Sequence, residues 1–268
     1  MQDTPKLGLP GMQAVTLPML GEALRRAWSD MRRAPLYGLF FASAYVLIGW
    51  LLAAITWGTG QSYWLIFAAV SFPLIGPFAA VGLYEVSRRL ERGRPLVLRE
   101  ILTVVLHQSR RQLPSICAIV IFLFLFWFFL AHMIFALFLG LSTMTNVSSS
   151  YEVFLTVNGM TMLLVGSIIG AGFALLLYMI TVISLPLLLD REVDFVTAMI
   201  VSFTTVTLNP VPMLVWAVFI ALTTFVALLP GFLGLFITLP LLGHATWHLY
   251  DQIQTGEVSF SPRARAGG

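Results

Sequence analysis

Six long, almost uninterrupted apolar runs divide this chain, and all fifteen of its Lys and Arg residues fall outside them. The runs lie near residues 35–56, 63–86, 115–140, 160–188, 211–229 and 232–250, each close to the ~20 residues an α-helix needs to cross ~30 Å of hydrocarbon. Backbone N–H and C=O groups find no water in a bilayer core, so such runs cross it only as helices that satisfy those groups internally. The expected fold class is therefore all-α, a polytopic transmembrane helical bundle of six spans. With 59% hydrophobic and only 10% charged residues, a soluble domain of this length lacks the polar surface to stay wet.

The cations sort by side. Lys6, Arg25, Arg26, Arg32 and Arg33 precede the first run; Arg88, Arg89, Arg92, Arg94, Arg99, Arg110 and Arg111 lie between the second and third; Arg191 follows the fourth; Arg263 and Arg265 end the chain. The three connections on the opposite side, near 58–61, 141–151 and 230–231, carry no Lys or Arg. The positive-inside rule makes the basic side cytoplasmic, which predicts a multi-pass protein of the bacterial inner (cytoplasmic) membrane with both termini inside. No apolar h-region follows Lys6, so the first span is expected to act as the insertion signal in place of a cleaved leader. The single Cys117 rules out an intrachain disulfide.

Three segments on the basic side read as interfacial amphipathic helices. Leu17, Leu20, Leu24, Ala27, Trp28 and Met31 recur at helical spacing, as do Leu98, Ile101, Leu102 and Val105, and Phe195, Met199, Ile200, Phe203 and Val206. Each segment leads to a proline that opens the next span, Pro35, Pro114 or Pro210, where the first helical turn has no need of the missing N–H. The even spans carry Phe72-Pro73-Leu74, Leu185-Pro186-Leu187 and Leu239-Pro240-Leu241. These marks predict a threefold internal repeat of helical hairpins, with units at about 17–90, 96–190 and 194–251, and a cavity where kinked even spans meet. Residues 17–251 then form one membrane domain between an N-terminal segment, 1–16, and a tail, 252–268, both expected to be disordered.

The stretches 76–89, 184–194 and 239–250 carry a resemblance that extends over roughly 28–251. Gly76-Pro77-Phe78-Ala79, Leu83-Tyr84-Glu85, Leu187-Leu188-Leu189-Asp190-Arg191 and Gly243-His244-Ala245-Thr246-Trp247-His248 resemble a bacterial family of predicted integral membrane proteins filed as a domain of unknown function. Some members of that family carry a cytochrome c oxidase subunit label. The resemblance implies a respiratory association and no transferable activity.

Ionisable residues in or near spans are costly and are the first functional candidates. His244, His248 and Asp251 stand at i, i+4 and i+7 on one helical face, and with Glu85 they form the candidate metal set. The competing expectation makes them polar packing groups, with Trp247 and Tyr250 in an aromatic belt. His132, amid Phe126-Trp127-Phe128-Phe129 and Met133, is the candidate cofactor contact, a haem or quinone edge, against packing within the bundle. It lies about 25 Å of helix from the cytoplasmic end and His244 only about 9 Å, so one haem iron cannot take both. Arg25, Arg26, Arg32, Arg33, Arg88, Arg89, Arg110 and Arg111 are the candidates for binding anionic lipid headgroups or a protein partner. Glycine-rich phosphate loops, nucleophile elbows and clustered thiolates are missing from the sequence, so no enzyme, resident cofactor or nucleic-acid partner is expected. The reading that follows is a non-catalytic accessory or assembly partner of a larger membrane complex, respiratory by resemblance. A transport or lipid-handling protein and a haem or metal protein are the alternatives.

Overall fold

The computed structural model describes residues 6–60, 66–140 and 151–255. In chain order these form β1 (Lys6–Leu7), β2 (Gly11–Met12), α1 (Leu17–Arg33), α2 (Pro35–Thr59), α3 (Ile66–Glu91), α4 (Leu98–Gln108) and α5 (Leu113–Leu139). After a 3-10 turn come α6 (Val157–Thr181), α7 (Ser184–Asp190), β3 (Arg191–Glu192), α8 (Phe195–Leu208), α9 (Pro210–Leu228), α10 (Leu235–Ile253) and β4 (Gln254–Thr255). Proline stands in the first turn of α2, α5 and α9, as its missing N–H requires.

Among the described residues four helical stretches are long and apolar enough to cross a membrane: Pro35–Thr59, Leu113–Leu139, Val157–Asp190 and Pro210–Leu228. Only 17–33% of their most apolar parts is buried against the rest of the chain. Phe122, Phe129, Leu137, Leu164, Leu222 and Phe225 all stand outward. Apolar surface on this scale is tolerated only where lipid covers it, and the chain is a multi-pass integral membrane protein. The remaining two expected spans coincide with α3 and α10, whose basic-end halves are instead buried and polar.

α3 and α10 lie against each other, and α7 touches both. Around them α2 packs on α3 and α10, α5 on α3 and α6, and α9 on α10, with the Tyr178 hydroxyl of α6 donating to Met213 O of α9 at 2.8 Å. The shorter helices follow the same order: α1 runs along α10, α4 along α3, and α8 along α6 and α7. Close approach is set by glycine. A Cβ at Gly82 would collide with the Phe41 ring, and one at Gly243 would lie 2.6 Å from Leu83.

The short amphipathic helices turn small and polar residues toward the bundle and bulky apolar ones outward. α1 buries Leu20, Ala23, Ala27 and Asp30 while Leu17 and Trp28 stand exposed; α4 buries Ile101 and Gln108 and exposes Leu98; α8 buries Ala198, Ser202, Thr205 and Val206 and exposes Ile200 and Phe203. The physical reason is the solvent. Where hydrocarbon lies outside, bulky apolar side chains lose nothing by facing it, while small and polar ones gain from close packing and internal hydrogen bonds.

The N-terminal segment departs from expectation. From residue 6 onward it is paired, β1 parallel to β3 with Lys6 opposite Arg191, and β2 antiparallel to β4 with Gly11 opposite Thr255. Gln13 N–H donates to Ile253 O at 2.9 Å and Val15 N–H to Asn209 Oδ1 at 2.9 Å. The strap satisfies backbone groups at the ends of α7 and α10, which compositional reasoning about a polar terminus does not see. It also brings 252–255, expected to be part of a disordered tail, into the fold, whereas 1–5 and 256–268 lie outside the described residues.

Proline lies inside α3 at Pro73 and Pro77 and inside α10 at Pro240, and the α6–α7 helix breaks just ahead of Pro186. Pro186 cannot donate to Val182 O, which loosens the ladder there. The regular bond from Ile183 N–H to Met179 O is replaced by the Ser202 hydroxyl of α8, which accepts from Ile183 N–H at 3.1 Å and donates to Met179 O at 2.7 Å. Ser202→Ala strands both backbone groups and is expected to destabilise the protein by about 1–3 kcal/mol. Thermal unfolding in mild detergent reads this, with Thr207→Ala, whose hydroxyl serves only its own exposed helix, as a silent control.

A candidate site at the basic end

The polar residues buried in this chain gather where the cations are. α1 brings the buried Asp30 and α10 the buried Trp247 and His248, and the end of α3 adds the partly exposed Glu91. His248 is 2% exposed and lies between the two carboxylates: its Nε2 is 2.8 Å from Asp30 Oδ2 and its Nδ1 2.9 Å from Glu91 Oε1. An ionised carboxylate only accepts, so both ring nitrogens donate and the ring is an imidazolium. Trp247 Nε1 donates to Glu91 Oε2 at 2.9 Å, and Arg26 approaches Glu91 at 3.9 Å. Burial alone raises the Glu91 carboxyl, but hydrogen bonds from His248 and Trp247 outweigh it and hold the group below its ordinary value.

One turn deeper, His244 is fully buried and its Nδ1 lies 2.7 Å from Ser87 Oγ of α3. Its Nε2 has no hydrogen-bond partner among the described residues. Beside it Glu85 accepts from Arg88 Nε and Arg89 Nε, each at 2.7 Å. Arg89 reaches on to Glu100 of α4 at 2.6 Å, so Glu85 and Arg89 tie α3 to α4. A third knot joins Asp190 to Arg191 at 3.3 Å and to the Tyr250 hydroxyl at 3.3 Å.

The structure thus disperses the four residues expected to hold a metal. His244 goes to Ser87, His248 to Asp30 and Glu91, and Glu85 to two arginines, while Asp251 is exposed at the end of α10. Among the described residues no group of three or more His, Cys, Asp or Glu side chains is arranged for a metal ion. Helical spacing correctly puts His244 and His248 on one buried face, but the partners on other helices decide what each ring does.

His132 faces outward from α5. Its Nδ1 lies 2.8 Å from Phe128 O, one turn back on the same helix, and its ring lies 4.3 Å from that of Phe128. Among the described residues its hydrogen bond and ring contact are to Phe128 of its own helix, and the side chain is exposed in place of packing inside the bundle. In α6 a Cβ on Gly170 would lie 3.0 Å from Trp127, whereas Gly166 and Gly172 face open space.

Of the eight candidate arginines, five are held by this chain's own acids. Arg25 and Arg26 bond Glu22 at 2.7 and 2.8 Å, which pushes that carboxyl down to about 2; Arg88 and Arg89 bond Glu85; and Arg111 bonds Glu192 at 2.7 Å. Arg32, Arg33 and Arg110 have no side-chain partner among the described residues, and Arg99 joins them. Sequence reasoning misses Asp30, Ser87 and Glu91. The available signal was Asp30, an acid in phase with Leu20, Ala23 and Ala27 at spacings of three and four.

Residues 65–190 match the family model described as "Predicted integral membrane protein (DUF2189)". The match runs from α3 through α7 and includes Glu85, Ser87 and Glu91, but stops short of α1 and α10, which supply Asp30 and His248. Neither the curated proteins nor the solved structures contain a match to the chain.

His248→Ala leaves Asp30 and Glu91 facing one another without the cation between them, and it should cost about 3 kcal/mol of stability. Asp30→Asn should cost less, and a double variant should fall short of the sum, as a coupled pair requires. Because the Glu91 value is lowered, its stabilising share is complete above its ordinary 4.5 and is lost as pH falls through the lowered value. Unfolding midpoints measured across acidic pH should therefore fall in wild type and flatten in Glu91→Gln.

Proposed function

We propose that this chain is a six-span protein of the inner (cytoplasmic) membrane, with both termini cytoplasmic, and that it serves as a non-catalytic accessory or assembly partner of a larger membrane complex. One observation carries the reading: the buried carboxylates at the basic end, and the imidazolium between Asp30 and Glu91, are consumed by partners within the chain. Groups committed in this way join helices and are poor candidates for acid, base or ligand. They also lie at one end, whereas a proton-coupled carrier needs a relay near the middle of the bilayer.

The same reading takes α2–α3, α5–α6–α7 and α9–α10 as three hairpins of a repeat. Its support is the order of contacts. Each short amphipathic helix packs on the inner helix of the preceding hairpin, α4 on α3, α8 on α6 and α7, and α1 on α10 to close the ring. Each outer helix likewise touches its own inner helix and that of the preceding hairpin. The broad apolar faces of α5 and α6 are the surfaces available for lipid or for a membrane partner.

Two measurements test this. Affinity purification from membranes in mild detergent, with mass spectrometry, should recover a partner in fixed proportion, with respiratory oxidase subunits the first to look for; recovery of the chain alone as a monomer would sink the partner role. Topology is read in a Cys117→Ser background with a membrane-impermeant thiol reagent on inverted vesicles. Thr103→Cys of α4 should be labelled and Gly58→Cys at the opposite end of α2 should not; the reverse pattern overturns the orientation.

A further inference from the structure

Ion pairing divides the cations of the basic end into two kinds. Arg25, Arg26, Arg88, Arg89 and Arg111 are paired with acids of the chain, Arg25, Arg26 and Arg88 within their own helices and Arg89 and Arg111 also across elements to Glu100 and Glu192. Arg32 and Arg33, which close α1, and Arg99, in the first turn of α4, are exposed and have no side-chain partner among the described residues. The fold brings these two helix ends together. The Tyr37 hydroxyl, in the first turn of α2, donates to Leu96 O at 2.7 Å just ahead of α4, and Ala34, beside Arg33, shares a buried cluster with Ile101, two residues after Arg99.

We propose that Arg32, Arg33 and Arg99 form a binding site for the phosphodiester headgroup of an anionic phospholipid. Charge complementarity gives the sign of the ligand, and the surroundings give its class. Arg33 is two residues from Pro35, where the apolar helix α2 begins, and the Tyr37–Leu96 bond ties the start of α4 with Arg99 to that same helix end, which is the level expected of headgroups. The apolar side chains around them are turned outward: Trp28, one turn before Arg32, Leu36 and Leu98 are exposed by 48%, 75% and 38%. A cationic cluster edged by exposed apolar residues fits a phosphate with acyl chains attached. An acidic segment of a soluble protein would leave Leu36 and Trp28 uncovered. Arginine suits the role because its fork holds two phosphate oxygens at once.

The proposal rests on the basic end lying at a membrane surface, and it is independent of which face of the membrane that is. Binding of phosphatidylglycerol and phosphatidylcholine is measured by titration of the purified full-length protein in neutral detergent at low salt. Wild type should bind phosphatidylglycerol saturably and in preference to phosphatidylcholine, and added salt should weaken the binding. At roughly 1 kcal/mol per arginine, Arg32→Gln/Arg33→Gln/Arg99→Gln should weaken it on the order of a hundredfold. Arg25→Gln/Arg111→Gln removes charge from internally paired positions and should change it by less than about threefold. Size-exclusion profiles and unfolding midpoints identify any variant that fails to fold, and then Arg33→Gln and Arg99→Gln singly should each cost about fivefold. Equal affinity for the two lipids, equal loss in the two multiple variants, or tighter saturable binding of a poly-glutamate peptide than of lipid would overturn the proposal. Reversed thiol labelling alone would overturn the orientation and leave this site standing.

Discussion

In a bilayer, apolar side chains give helices little reason to prefer one another over lipid, so a bundle with outward-facing leucines and phenylalanines must be held by other means. Here those means are concentrated where the spans leave the hydrocarbon. His248 sits between Asp30 and Glu91 and joins α10, α1 and α3 with two hydrogen bonds to charged acceptors. Asp30 and His248 would each be expensive to bury alone, and each is tolerable because the other and the partly exposed Glu91 are present. The helix-to-helix order of the basic end depends on that triad and on the two links beside it, Arg89 of α3, held by Glu85, to Glu100 of α4, and Tyr250 of α10 to Asp190 of α7.

Deeper in the bundle the same problem is met with shape and with single hydrogen bonds. Gly82 admits the Phe41 ring and Gly243 admits Leu83, so backbones approach where larger residues would hold them apart. Ser202 enters the broken ladder between Met179 and Ile183, and the Tyr45 hydroxyl reaches Phe72 O beside the prolines of α3. Each repairs or exploits a place where proline disturbs a helix, which is how irregular backbone survives at membrane depth. Among the described residues, Arg32, Arg33, Arg99 and Arg110 stand outside these networks and are exposed without a side-chain partner.

Much of this was legible beforehand. Continuous apolar runs identify helices without reference to any partner, and the prolines at 35, 114 and 210 stand in first turns as expected. The buried faces of the short helices were less legible. The apolar stripes that carry Trp28 and Phe203 mark these helices as amphipathic, but they do not say that the line of Ala23, Ala27 and Asp30, or of Ala198, Ser202 and Thr205, is the one that packs inward. The polar site was only half visible: His244 and His248 are four residues apart, whereas Asp30 is 218 positions from His248 and no local pattern links them.

The sequence by itself therefore determined the helices, their membrane setting and the concentration of charge at one end, because hydropathy and charge are properties of single residues summed over a run. Tertiary structure alone decided which acid meets which base. That choice separates a histidine clamped between two carboxylates from a metal ligand, and an arginine spent on Glu85 from one free to hold a phosphate. Pairing of that kind depends on atoms from three or four helices arriving within 3 Å of one another, and such distances are set by packing, which no single stretch of sequence contains.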